Sequence, residues 1–218
     1  MDHIALVSVT LNAVNPMTDY FRTKVPGIKI DNYLDSHLLE KVRAEGGIND
    51  ACMKRMFTML ATACEDEAQG VLLTCTVFSP YAEYFSKLLS KPIICPDRAM
   101  LEAVAAREGR KAILCTFPGT VETTQNLYFD CCREVEMDET VDMVVLEDAY
   151  LAAGKGDFET HDRLIQKKAQ ELDSQYDHLV FAQISMAQAA KGLELSHAQV
   201  YTSPDSAFQA LEKAVAQS

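Results

Sequence analysis

The stretch GVLLTCT, residues 70–76, is a short apolar run that ends in Thr-Cys-Thr, and it does most to decide the fold. Such a run is typical of a buried β-strand, and a longer helical pattern follows it. Seven other runs repeat this alternation of strand and helix: IALVSV (4–9), KIDNYL (29–34), PIICPD (92–97), AILCTF (112–117), DMVVLE (142–147), HLVFAQIS (178–185) and QVYTSPD (199–205). The alternation predicts an α/β protein with parallel sheets covered by helices on both faces.

The sequence contains an internal repeat, because shifting the second half by 108 residues, the difference between positions 75 and 183, aligns it with the first. The aligned pairs are Leu6 with Leu114, Ser8 with Thr116, Cys75 with Gln183, and Cys-Pro-Asp at 95–97 with Ser-Pro-Asp at 203–205. Apolar strands also resemble one another by composition alone, so the shared Pro-Asp pair is the stronger evidence. The repeat predicts two similar lobes, each a four-stranded parallel sheet flanked by helices, related by a pseudo-two-fold axis. Residues 1–97 with 205–218 form the first predicted lobe and residues 98–204 the second.

The charge balance excludes one class of partner. Lys and Arg number 20 against 32 Asp and Glu, which gives a formal net charge of −12. Nucleic-acid phosphates need a clustered basic surface, so no nucleic-acid partner is expected. In so acidic a chain, an anionic ligand has to be held by backbone amides or by a few placed donors.

The cysteines and the apolar segments indicate the cellular compartment in which the protein is expected. Seven cysteines, an odd number at irregular spacing, predict reduced thiols rather than a disulfide framework. The chain shows no CxxC pair, and its five histidines are scattered, so no metal site is expected. The N-terminus has too short an apolar run for a signal peptide, and no segment approaches the roughly 20 apolar residues that span a bilayer. These features predict a cytoplasmic protein without membrane contact, and they leave a homo-oligomer open.

The residues that follow each apolar run are the candidates for ligand binding, because ligands of open α/β sheets bind beyond the carboxyl ends of the strands. Most of these residues are polar or small. The substrate-binding candidates are Ser8, Asn12, Thr76, Thr116, Gly119, Thr120, Gln183 and Ser185. Two facing lobes would bring both sets to one cleft, which is the predicted site.

Cys75 is the candidate catalytic residue. It stands between two threonines at the end of a predicted strand, where helix N-terminal amides can lower the pKa of a thiol and favour the reactive thiolate. The alternative interpretation is a buried cysteine that packs as a small hydrophobic residue, and we adopt it for the other six.

The segment Thr-Phe-Pro-Gly-Thr, residues 116–120, lies between a predicted strand and a predicted helix. Its backbone N–H groups and two hydroxyls can form a nest that accepts an anion. An ordinary strand-to-helix turn accounts for the same residues equally well.

The segment Gly-Asp-Phe-Glu-Thr-His-Asp, residues 156–162, is typical of a helix start, with Asp or Thr as the cap. His161 within it is a candidate second proton carrier. The alternative is a solvent-facing histidine on the surface of the helix.

The repeated α/β lobe, Thr-Cys-Thr at 74–76, Thr-Phe-Pro-Gly-Thr at 116–120 and Leu-Val-Phe-Ala-Gln-Ile-Ser-Met-Ala at 179–187 together resemble the aspartate/glutamate/hydantoin racemase superfamily over nearly the full chain. The resemblance implies an enzyme without a cofactor. It also implies one cysteine at the third strand end of each lobe, on opposite faces of the substrate's acidic carbon. Cys75 matches the first of these positions, whereas the second is Gln183. This form of the second motif is similar to a racemase-like, single-cysteine subgroup.

The resemblance implies a racemase or epimerase that acts at the carbon beside the carboxylate of a small acid, such as an amino acid or a hydantoin, with Cys75 as acid/base. The threonines, Gln183 and Ser185 would donate hydrogen bonds to an enediolate. Racemisation needs a second proton carrier, which the lone cysteine does not supply. The alternatives are a single-cysteine decarboxylase or cis–trans isomerase of a small diacid, and a non-catalytic protein that binds a small acid.

Overall fold

The computed structural model describes residues 1–217, with the side chain of Asn12 outside the described set. The chain divides into two compact units. The first contains Met1–Pro96 and the C-terminal segment that begins at Ala207, and the second contains Asp97–Ser206. Each unit has a four-stranded sheet in which every pairing is parallel. The predicted α/β class, with two four-stranded parallel sheets flanked by helices, is therefore confirmed.

Strands and helices alternate along both units, as the sequence pattern predicts. The strands are β1 (His3–Ser8), β2 (Lys29–Leu34), β3 (Gly70–Leu73), β4 (Ile93–Ile94), β5 (Lys111–Cys115), β6 (Asp142–Val145), β7 (His178–Phe181) and β8 (Gln199–Thr202). The α-helices are α1 (Leu11–Lys24), α2 (Leu38–Ala44), α3 (Asp50–Glu65), α4 (Ala82–Leu89), α5 (Pro96–Ala105), α6 (Val121–Glu134), α7 (Glu147–Gly154), α8 (Phe158–Leu172) and α9 (Ser203–Ala216). Short 3-10 helices follow three of the strands, at Thr76–Tyr81, Pro118–Thr120 and Ile184–Gln188.

The two sheets have the same strand order, β2-β1-β3-β4 in the first unit and β6-β5-β7-β8 in the second. The inner strands β3 and β5 are buried along their whole length, whereas the edge strands β2 and β6 are partly exposed. An inner parallel strand is covered on both faces, which is why it appears in the sequence as a continuous apolar run.

The backbone register shows how the two halves correspond. Thr74 N donates to Val7 O at 3.0 Å, and Ala182 N donates to Leu114 O at the same distance. Positions 74 and 182 differ by 108, whereas positions 7 and 114 differ by 107, so the predicted offset holds for the third strands and is wrong by one for the first. Ser8 therefore corresponds to Cys115 and not to Thr116.

Gly70, the first residue of β3, lets a helix approach the sheet closely. A Cβ atom at this position would lie 2.7 Å from Leu211 Cδ1 and 3.1 Å from Val215 Cγ2, both on α9. Side chains of the C-terminal helix thus pack directly against the backbone of the first sheet at Gly70, where there is no side chain to hold them away.

The strands end earlier than the apolar runs suggest. β3 ends at Leu73 and β7 at Phe181, so residues 74–76 and Gln183 lie beyond the carboxyl ends of their strands. Within residues 1–217, no helix combines the length and the apolar composition needed to cross a membrane.

Candidate functional site

Two hydroxyl groups meet at the carboxyl ends of β1 and β3 in the first unit, one from the last residue of β1 and one from the residue after β3. Ser8 Oγ and Thr74 Oγ1 are 2.8 Å apart, and both residues are buried. Thr74 Oγ1 is also 3.4 Å from the carbonyl oxygen of Val7. Ser8 was predicted as a substrate-binding residue; its hydroxyl is engaged with Thr74, directly before the cysteine.

Cys75 is the second residue after β3 and is only 6% exposed. It takes part in no disulfide. Its backbone is extended, with φ −133° and ψ 109°, and its carbonyl oxygen accepts a hydrogen bond from Phe78 N at 3.0 Å as the 3-10 helix begins. Thr76 opens that helix and is half-buried. The cysteine is thus held between a buried strand and a tight turn, with little of its surface open to solvent.

An ion pair that the sequence analysis missed lies at the same edge of the first sheet. Arg55 Nε donates to Asp35 Oδ2 at 2.7 Å, and Asp35 N donates to Ser8 O at 3.1 Å. The pair joins α3 to the loop after β2, positions 20 residues apart. No local motif marks Arg55, so only the tertiary structure reveals its pairing with Asp35.

The Gln183 side chain links two threonines at the carboxyl edge of the second sheet. Its Oε1 accepts a hydrogen bond from Thr116 N at 2.8 Å and lies 3.4 Å from Thr116 Oγ1. Its Nε2 donates to Thr120 Oγ1 at 3.0 Å. Three of the predicted binding residues, which are distant in sequence, are therefore brought together within the second unit.

The predicted anion nest at residues 116–120 has several of its donors engaged. Thr116 N is bonded to Gln183, as described above. Thr120 N and Thr120 Oγ1 both donate to Phe117 O, at 3.2 and 2.9 Å. Locally, the segment has the hydrogen bonds of an ordinary 3-10 turn, which is the alternative that the sequence left open.

Gly119 has a steric role in this turn. A Cβ atom at Gly119 would lie 2.7 Å from both Cε1 and Cζ of the Phe117 ring. That ring stacks on Tyr150, with the ring centroids 5.0 Å apart. The glycine therefore allows an aromatic pair to lie beside the Thr116–Gln183 contact.

Cys115 lies beneath the same cluster and was assigned to the core from its sequence. Burial raises the pKa of its thiol to about 12, while side-chain hydrogen bonds with Gln183 and Thr124 act in the opposite direction. A thiol with such a pKa is almost entirely protonated at neutral pH. The Cys115 thiol thus hydrogen-bonds with the Gln183 side chain but is not a nucleophile at neutral pH, because the thiolate is the reactive form.

His161 is fully buried, so the solvent-facing alternative is wrong. Its Nδ1 lies 2.8 Å from Asp162 Oδ1, and its Nε2 has no hydrogen-bond partner among the described residues. A groove lined by residues 145–149 and by Leu164, Lys167, Lys168 and Glu171 shows that this part of α8 lies beside the end of β6. Leu164, which lines this groove, follows His161 by about one helical turn.

Two predicted binding residues, Ser185 and Asn12, have not yet been placed. Ser185 lies in the 3-10 helix after Gln183 and is half-buried. The side chain of Asn12 lies outside the described residues. Across residues 1–217, no three side chains of His, Cys, Asp or Glu converge on a point where a metal ion could be held.

No protein-family model matches the sequence, and no curated protein matches it. Solved structures match nearly the whole chain. Aspartate racemase from Picrophilus torridus superposes with a TM-score of 0.75 at 10% identity, covering 99% of this chain and 95% of that one. Allantoin racemase from Klebsiella pneumoniae superposes with a TM-score of 0.70 at 15% identity, covering 100% of this chain and 89% of that one. Unliganded arylmalonate decarboxylase superposes with a TM-score of 0.60 at 12% identity, covering 99% of this chain and 93% of that one. At these identities the similarity is one of fold, and this chain has the fold of aspartate racemase, allantoin racemase and arylmalonate decarboxylase.

Proposed function

We propose that this protein is a member of the aspartate/glutamate/hydantoin racemase superfamily that racemises or epimerises a small acid at the carbon beside its carboxylate. The proposal needs no cofactor and assigns the acid/base role to Cys75. One observation carries it: in a fold found in racemases, Cys75 stands directly beyond the carboxyl end of an inner strand. Ligands of parallel α/β sheets bind at such strand ends.

The chemistry assigned to Cys75 is a proton transfer. Its thiolate removes the proton from the carbon beside the carboxylate, and the electron pair of the broken C–H bond moves into the carboxylate to give an enediolate. Thr76, Thr116, Thr120, Gln183 and Ser185 are the proposed donors to the developing charge. Each well-placed donor of this kind can stabilise a transition state by a few kcal/mol.

The second proton carrier is proposed to be His161. Gln183, which corresponds in register to Cys75, carries an amide that does not titrate, so a different residue has to deliver the proton from the other face. Nδ1 is hydrogen-bonded to Asp162, so the transferred proton is carried on Nε2, which has no partner among the described residues: the imidazolium delivers it to the carbon, and in the reverse direction the neutral imidazole removes it. An imidazole is the side chain best suited to proton transfer near neutral pH.

A decarboxylase is the second candidate, and Gln183 is the observation that favours it. Loss of carbon dioxide from a substituted malonate leaves the electron pair on an enediolate, and a single thiol then protonates the carbon. This reaction needs one proton carrier rather than two, as expected for a site with one cysteine. Arylmalonate decarboxylase has the same fold.

Exchange in heavy water separates these functions. The protein is incubated with single enantiomers of aspartate, glutamate and allantoin, and deuterium at the acidic carbon is followed by NMR together with optical rotation. A racemase incorporates deuterium and loses rotation, and Cys75→Ser abolishes both effects. Cys64→Ser, which changes a half-buried thiol of the same unit outside the site, is the matched control and retains them.

Phenylmalonate is tested in parallel for release of carbon dioxide. Release that depends on Cys75, without exchange of the amino acids, supports the decarboxylase. Neither exchange nor release from any of these compounds contradicts both catalytic proposals and leaves a binding protein for a small acid.

A further inference from the structure

The Gln183 amide oxygen occupies the donors of Thr116, which a carboxylate oxygen can accept from in the same way. We propose that the N–H and hydroxyl of Thr116 form a carboxylate subsite that the protein closes with its own Gln183 side chain, held in place by Thr120, and that a ligand opens it by replacing Oε1. This inference rests on the proposed function for the class of ligand. It adds a ligand-free state in which the Gln183 side chain satisfies the donors of Thr116.

The geometry of Oε1 supports this role. The oxygen lies 2.8 Å from Thr116 N and 3.4 Å from Thr116 Oγ1, so one backbone donor and one hydroxyl point at a single acceptor. An amide oxygen and a carboxylate oxygen are both sp² acceptors with two lone pairs. A ligand carboxylate can therefore take the position of Oε1 without any rearrangement of the backbone.

The burial of Thr116 explains why an internal occupant is needed. Thr116 is only 4% exposed, so its N–H has little access to water. A buried donor without a partner is strongly disfavoured, and the amide of Gln183 satisfies it when no ligand is present. The Nε2 bond to Thr120 Oγ1 holds the amide in the orientation that places oxygen, and not nitrogen, toward Thr116.

A ligand carboxylate has an advantage over the amide in this exchange. Hydrogen bonds to a charged acceptor are roughly twice as strong as those between neutral groups. Gln183 is half-buried, and rotation about its side-chain bonds moves Oε1 away from Thr116 and leaves Nε2 free to donate to the ligand. The apparent affinity for a carboxylate is reduced by the fraction of molecules in which Gln183 holds the subsite closed.

The experiment measures malonate binding to the full chain by NMR, with the backbone amides of Thr116 and Thr120 as reporters. Gln183→Ala removes the internal occupant, and we expect malonate to bind about tenfold more tightly than to the wild type, a gain of about 1.4 kcal/mol. Gln188→Ala is the matched control, because Gln188 is exposed at the end of the following 3-10 helix, and it should bind like the wild type. Malonamide, the neutral analogue, should show no such gain.

Equal or weaker binding of malonate to Gln183→Ala overturns the proposal, as does binding that leaves the Thr116 amide unshifted, or no binding to any variant. If the alanine variant does not fold, Gln183→Ser provides the same test, because its short side chain vacates the position of Oε1 and keeps a polar group at this half-buried position. Binding is measured in the Cys75→Ser background as well. If Gln183→Ala tightens malonate binding in that background but the wild type turns over none of the compounds tested above, only the catalytic proposal is contradicted. If the wild type turns over one of them but Gln183→Ala does not tighten malonate binding, only the subsite is contradicted.

Discussion

Arg55 and Asp35 are joined at the carboxyl edge of the first sheet, with Nε 2.7 Å from Oδ2. Asp35 also donates its backbone N–H to Ser8, the residue whose hydroxyl contacts Thr74. The guanidinium thus holds the loop after β2 against the end of β1.

Separating this ion pair is expected to have a modest effect on stability. Asp35 is mostly buried and Arg55 is 40% exposed at the side chain, so solvent screens part of the attraction. In a double-mutant cycle with Arg55→Met and Asp35→Asn, we expect a coupling of about 0.5–1 kcal/mol in the free energy of unfolding. The measurement is urea denaturation of the four proteins. Coupling indistinguishable from zero would show that the pair does not hold the loop.

Gly70 should tolerate a branched side chain poorly. Gly70→Val places a branched side chain against Leu211 and Val215, and the overpacking is expected to lower the free energy of unfolding by about 1–3 kcal/mol. Gly154→Ala is the control, because no heavy atom lies within 4 Å of an added Cβ there, and it should be neutral. Adding Leu211→Ala should recover part of the loss in the Gly70 variant. Equal stability of the two glycine variants would contradict the close approach of α9.

His161 should be dispensable for folding. Its unpartnered Nε2 is buried, and an unsatisfied buried group costs about 1–3 kcal/mol, which offsets the loss of the bond to Asp162. We therefore expect His161→Phe to be at least as stable as the wild type in urea denaturation, while the exchange reaction proposed above is lost. Asp162→Asn, which keeps a neutral acceptor, should retain part of the reaction. A large loss of stability in His161→Phe would assign the histidine to the core.

Asp173 gives a dependence of stability on pH. Its carboxylate accepts a hydrogen bond from Ser196 Oγ and others from the backbone N–H groups of Ala198, Ser196 and His197, which together hold its pKa well below the usual range. A lowered pKa in the folded state contributes stability above the unfolded pKa of about 3.9, and that contribution is lost as the pH falls further. Asp173→Asn should therefore be less stable than the wild type at pH 7, with the difference shrinking below about pH 4.

The test is thermal unfolding of both proteins between neutral and acid pH. Ser196→Ala removes the side-chain hydrogen bond while keeping the carboxylate, and its pH dependence should be intermediate. A difference between Asp173→Asn and the wild type that stays constant over this range would contradict the assignment.

The strands were predictable because inner strands of a parallel sheet are buried on both faces and leave a continuous apolar run. The register between the halves was wrong by one in β1 and β5 because the offset of 108, taken from positions 75 and 183, was applied to every strand. The hydrogen bonds of Val7 and Leu114 identify the correspondence, and these depend on the folded backbone.

The candidate residues were predictable from their place after strand ends, but their contacts were not. Gln183 reaches Thr116 across 67 positions, a distance that no local pattern encodes. The burial of His161 did have a signal, because Ile165 and Ala169 follow it at intervals of four and form a stripe on one face of α8. Arg55 had none, since its partner is set by the packing of α3.

The contact between Gly70 and α9 also fixes an order of events during synthesis. The first unit receives one of its covering helices from the segment after Ala207, so a growing chain that has just emerged with β1–β4 still exposes the face around Gly70. The second unit is a continuous segment, so it can fold while that face of the first unit is still exposed. Although domains usually fold from the N-terminus during translation, the N-terminal unit here is completed last.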